Sequence, residues 1–147
     1  MQKTLIAALL VTALSPGLAF AQSEGAVTYP FDGSFDDATF SLENAIIGRG
    51  LLIDYISHTG EMLARTGQDV GSDVVIFDNA DVFLFCSAVL SRQVMEIDPL
   101  NIAHCPYGIF VIDQAGAVSI GYQVMPDGEM KAVEALLDAI ATEAAGG

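Results

Sequence analysis

Tyr107–Met125, YGIFVIDQAGAVSIGYQVM, decides the fold. Two runs rich in β-branched and aromatic residues, Tyr107 to Asp113 and Val118 to Met125, flank Gln114-Ala115-Gly116. Runs of that composition around a short loop containing glycine predict a β-hairpin. Its arms are apolar enough for inner strands of a sheet, and equally for the interface of a homo-oligomer.

Downstream, Asp127 is the expected N-cap of a terminal helix with Met130, Val133, Leu137 and Ile140 on its buried stripe. The alanine-rich end, Ala141 to Gly147, is expected to fray. Upstream, Gly25 to Phe31 reads as a first strand. Ser34 then caps a helix with Asp36 and Asp37 in its first turn and Phe35, Ala38, Leu42, Ala45 and Ile46 on one face, ending near Gly48-Arg49-Gly50. Leu51 to His58 predicts a second strand and Gly60 to Thr66 a short helix closed by Gly67. Val74 to Phe77 and Val82 to Phe85 are strand-like runs divided at Asp78-Asn79. Ser87 caps a helix with Leu90, Val94 and Ile97 on one face, stopped by Asp98-Pro99. The sum is a single α+β domain with helices on one face of a mostly antiparallel sheet.

The first 21 residues read as a signal peptide. Lys3 precedes an apolar run from Leu5 to Leu14, Ser15-Pro16-Gly17 breaks it, and Ala19-Phe20-Ala21 suits cleavage before Gln22. The run is shorter than the roughly 20 residues that span a bilayer, so no membrane anchor is expected after cleavage. The expected product is periplasmic or secreted, with residues 22–147 forming the domain. Of the chain's five bases, Lys3 is lost with the leader, leaving four against 19 acids. Binding nucleic acid or anionic lipid draws on lysine and arginine releasing counterions, so neither is an expected partner.

Three spaced stretches carry a family resemblance: Ile56-Ser57-His58-Thr59-Gly60-Glu61-Met62-Leu63 with Arg65-Thr66-Gly67; Phe85-Cys86-Ser87-Ala88 with Leu90-Ser91-Arg92; and Asp98-Pro99, Asn101-Ile102 and Cys105-Pro106-Tyr107. In that order they resemble domain-of-unknown-function family 302 over residues 27–125. The resemblance implies a compact α+β domain of the TATA-binding-protein-like β-α-β type and no established activity.

Cys86 and Cys105 are the only cysteines. In an oxidising compartment their bridging is the first question, and a bridge closing a loop of about 20 residues contributes about 3 kcal/mol. Buried free thiols are a second reading. A reactive Cys86 thiolate at a helix N-terminus is a third, opposed by the acidity of the chain and the absence of Cys-x-x-Cys.

His58 and His104, with Met62 and Met125, are the candidate ligands for copper or haem iron. Their spacing forms no cluster, and there is no Cys-x-x-Cys-His, so histidines satisfied by the protein itself are the competing reading. Arg92 is a candidate anion-binding group, with an ion pair to a neighbouring acid as the alternative. No Gly-x-Ser-x-Gly, His-Glu-x-x-His or phosphate-cradling glycine loop occurs. The sequence thus favours an exported binding or accessory domain without catalytic apparatus. A periplasmic redox protein using haem, copper or the cysteine pair is the alternative.

Overall fold

The computed structural model describes residues 21–22 and 25–146, so most of the expected leader lies outside the described residues. The predicted hairpin is the centre of the fold. β5 (Tyr107–Gln114) and β6 (Ala117–Gln123) pair antiparallel in a register that sets Gln114 opposite Ala117. The loop is therefore two residues long, and both adopt positive φ, 53° at Ala115 and 83° at Gly116. Such loops match the twist of the strands they join, at a steric cost for the alanine Cβ. Two carboxylates hold this turn. Asp113 Oδ1 accepts from the Gly116 N–H at 2.9 Å, and Asp78 Oδ2 from the Ala115 N–H at 2.7 Å.

β4 (Asn79–Phe85) pairs with the free side of β5, and β3 (Ile53–Ser57) pairs beyond it. β2 (Ala26–Pro30) lies beside β6, edged by the two-residue β1 (Ala21–Gln22). The order is β1-β2-β6-β5-β4-β3, with every pairing antiparallel. Residues directly opposite in such a ladder share a face. Phe83, Ile109, Tyr122 and Val27 therefore point together to one side, and Val82, Phe110, Gly121 and Thr28 to the other.

Helices α1 (Phe35–Ile47) and α4 (Lys131–Ala144) cover the first face and pack on each other. Ala38, Leu42, Ala45 and Ile46 of α1 meet Val133, Leu137, Ile140, Ala141 and Ala144 of α4 over buried Phe85, Ile109, Val111 and Ile120. The α1 N-terminus is a capping box. Ser34 Oγ accepts from the Asp37 N–H, and the Asp37 carboxylate accepts from the Ser34 N–H. Helix α2 (Thr59–Thr66) follows β3 and leans on the start of β4, where a Cβ at Gly60 would come within 2.5 Å of the Ala80 nitrogen. Helix α3 (Ala88–Ile97) and a 3-10 segment (Pro99–His104) cap the opposite end of the sheet.

Four expectations fail, each for a packing reason. Val74 to Phe77 is not a strand: the ladder with β5 begins at Asn79 opposite Asp113, and β5 turns away at Ala115-Gly116 before it could meet the preceding residues. Asp127 does not cap α4; its side chain is fully exposed, and the helix starts at Lys131, after Gly128 turns the chain at φ 97°. Ile97 is 63% exposed, and Met95 packs on the core instead. The alanine-rich end stays helical to Ala144, because Ala141 and Ala144 are buried against α1 and Ser41 Oγ donates to the Ala144 carbonyl.

The positive φ of Ala115 generates a prediction. Ala115→Gly removes a left-handed penalty of about 1–2 kcal/mol and adds roughly 0.5–1 kcal/mol of chain entropy to the unfolded state. A net stabilisation of up to about 1 kcal/mol is expected in urea denaturation, with an unchanged m-value.

Candidate functional site

At the end of β4 the chain leaves the sheet through Cys86 and returns to β5 through Cys105. Two caps shape this excursion. Ser87 Oγ accepts from the Leu90 N–H at 3.3 Å to start α3, and Asp98 Oδ1 accepts from the Leu100 N–H at 2.9 Å to start the 3-10 segment. Phe85 pairs with Tyr107, so the residues just beyond the ladder are brought side by side. There Cys86 and Cys105 form a disulfide with a Cα–Cα separation of 6.5 Å. The Asn101 amide donates to the Val94 carbonyl and to Glu129 Oε1, both at 3.0 Å, which ties the excursion to the segment before α4. That bond holds the Glu129 carboxyl below its ordinary value.

His104, Cys105 and the cis peptide into Pro106 come down beside the sheet face that α1 and α4 leave open. A hollow of about 300 Å³ forms there, with Leu84, Phe110 and Met125 among its walls and His104 and Pro106 on its rim. Gly108 lies in the middle of this lining. A Cβ there would meet Leu84 Cδ2 and Val82 Cγ1 at 3.4 Å, so any larger side chain would occupy the hollow itself. Among the described residues no aspartate, glutamate, lysine or arginine lines it. The His104 ring makes no hydrogen bond to a described residue, leaving both nitrogens available to a ligand.

The structure divides the candidate ligands of the sequence into two pairs. His104 and Met125 share the hollow, next to Cys105. His58 and Met62 lie toward the start of β4, because His58 is held by Asp81, whereas Cys105 sits beyond Phe85 at the other end of that strand. His58 Nδ1 is 2.8 Å from Asp81 Oδ1, and this hydrogen bond, then the carboxylate charge, raises its pKa. Among the described residues no group of three or more His, Cys, Asp or Glu is placed to hold a metal ion. Arg92 is strongly exposed and pairs with Glu96 one turn along α3.

One constellation has no local signature in the sequence. The hydroxyls of Tyr29 on β2 and Tyr122 on β6 both donate to Asp138 Oδ1 of α4, the second at 2.7 Å. Lys131 and Glu134 stand beside them, around a second hollow of about 320 Å³. Only the inward parity of the two tyrosines and a carboxylate flanking the α4 stripe hint at it. Burial first, and the carboxylate second, raise the pKa of both phenols. The cluster ties α4 to two strands.

A phenol whose folded pKa is raised contributes stability that is intact below its unfolded value near 10 and is lost as pH rises above it. Melting temperature is expected to fall between pH 9.5 and 11 (about the range of tyrosine titration). Tyr122→Phe should cost about 1 kcal/mol at neutral pH and flatten that alkaline decline. Thermal melts of both proteins across the range check this.

The comparisons with known proteins agree on the fold. The model of the family described as "Domain of unknown function DUF302" matches residues 26–145. A crystal structure of an uncharacterized conserved DUF302 protein from Bacillus stearothermophilus superposes with a TM-score of 0.60 at 18% identity, covering 84% of this chain and 95% of that one. At that identity the likeness speaks for the fold alone. No curated protein matches the sequence. The match over nearly all of the described domain, with the sheet and helices it encloses, establishes that the chain belongs to the DUF302 family.

Proposed function

We propose that this protein is an exported accessory domain that binds a small, uncharged, largely apolar molecule in the hollow on the open face of its sheet, without transforming it. The lining carries the reading: apolar walls, a glycine floor, and His104 and Gln123 as the polar groups that would orient a ligand. Apolar concavities with a few convergent polar groups are the usual form of small-molecule sites. An excess of 19 acids over five bases disfavours an anionic ligand. Both thiols are held in the disulfide, whose role here is to fix the His104–Pro106 rim. Disulfides persist in oxidising compartments, which fits the leader-like residues 1–21.

A second reading rests on one observation: an imidazole and a thioether, His104 and Met125, line the same hollow. These donors suit copper(I) or haem iron. Under this reading the periplasmic protein is coloured or copper-loaded, and His104→Ala abolishes that property. Colourless, metal-free protein from the periplasm would remove it.

The main reading is tested with the neutral fluorophore N-phenyl-1-naphthylamine. Saturable binding at one site per chain is expected, and Gly108→Val, which fills the hollow, should weaken it by at least about tenfold with an unchanged circular dichroism spectrum. Absence of saturable binding, or equal binding by Gly108→Val, overturns the assignment. Sequencing of the periplasmic protein should find Gln22 at its N-terminus; an unprocessed chain retained in the cytoplasm would refute export.

A further inference from the structure

Between a 3-10 turn at Gln68–Val70 and β4, the chain runs through Asp73-Val74-Val75-Ile76-Phe77-Asp78, four apolar residues bracketed by two acids. The tetrad has strand-forming chemistry, yet it pairs with no strand among the described residues. Val74 is 74% exposed, Val75 77% and Ile76 49%. Its backbone is almost as open. The Val74 N–H reaches Ser72 Oγ at 3.4 Å and the Ile76 carbonyl accepts from Gln114 Nε2 at 3.3 Å. The N–H groups of Val75, Ile76 and Phe77 have no hydrogen-bond partner among the described residues. On its inner side the tetrad is separated from α2 by a groove of about 250 Å³, walled by Leu63 and Ala64 and floored by Gly60 and Gly67.

An exposed apolar run with unused backbone donors is a template for another strand. Charge decides which strand it accepts. If two copies paired antiparallel about the middle of the tetrad, Asp73 of each would face Asp78 of the other. Like charges directly opposite destabilise a ladder, so self-pairing is opposed at both ends. Asp69 adds a third carboxylate close by in the chain, against the single base Arg65. A strand with lysine or arginine at each end meets complementary charge at the same places.

We propose that Val74–Phe77 is a docking strand that receives, by strand addition, an extended segment of another protein, apolar at its centre and flanked by lysine or arginine. Main-chain hydrogen bonds from Val75 to Phe77 supply the attachment, and the groove against α2 takes alternate side chains of the incoming segment. The flanking aspartates set its charge preference. The surface is separate from the hollow bearing His104 and does not depend on what that hollow binds.

The test uses the mature protein and two synthetic peptides, Lys-Thr-Ile-Val-Thr-Val-Lys and the same sequence with glutamate at both ends, by isothermal titration calorimetry. The lysine-flanked peptide is expected to bind at least about tenfold more tightly at low salt, with the gap closing as salt is raised. Val75→Pro deletes an N–H that bonds nothing within the protein and should abolish binding while leaving the circular dichroism spectrum and melting temperature unchanged. Asp73→Lys, at an exposed position, should shrink or reverse the preference between the peptides. Absence of binding at millimolar peptide, equal affinity for both peptides, or full binding by Val75→Pro overturns the proposal. So does sedimentation showing a dimer that Val75→Pro dissociates, which would assign the strand to a second copy.

Discussion

Burial of one face of the β4-β5-β6 sheet under α1 and α4 is the contact on which everything else rests. Alternation along a strand gives each ladder two chemically separate faces. Phe83, Phe85, Ile109, Val111, Ile120 and Tyr122 are spent on the covered side. Each fully buried side chain of this size stabilises by about 1.5–3 kcal/mol relative to exposure, so the covered face fixes register throughout the sheet. A one-residue slip would exchange the two faces. With register fixed, Val82, Leu84, Gly108 and Phe110 have no choice but to form the open face, and the hollow lies there as a consequence.

The remaining devices fasten parts of the chain to this layer. The disulfide closes the α3 excursion onto the strand ends, at the one place where a chain leaving β4 and a chain entering β5 must be neighbours. The tyrosine pair on Asp138 fastens α4 to β2 and β6 at its exposed margin. Arg49 does the same for the end of α1, pairing with Glu143 and donating to the Ala139 carbonyl at 3.1 Å. These polar ties lie at the rim of the apolar layer, where partial solvation lowers the desolvation cost of a carboxylate. Acids are frequent on the helices, as at Asp36, Asp37, Glu134, Asp138 and Glu143, whereas none of the described residues lining the hollow is acidic.

Local chemistry was legible at several helix starts and at the central turn. Ser34 and Ser87 as helix caps, and a turn within Gln114-Ala115-Gly116, announce themselves because caps and turns are settled by near neighbours. The same rules misled at Val74 to Phe77, where the partner strand β5 turns away before reaching the run. They also misled at Asp127, where the helix begins one turn later, once Met130 reaches the core. Ile97 was assigned by periodicity to a face that no element covers. Propensity describes what a segment suits, whereas pairing and burial depend on what stands opposite.

From its sequence alone the protein is an acidic α+β domain built on an antiparallel hairpin, with two cysteines, two histidines and a leader-like start. Those properties follow from composition, periodicity and residues close in the chain. Tertiary structure alone decided that Cys86 meets Cys105, that His104 joins Met125 while His58 goes to Asp81, and that Tyr29 and Tyr122 share Asp138. Each of these depends on the order of strands in the sheet. That order is set by which faces can be buried together, a property of the whole chain that no local window contains.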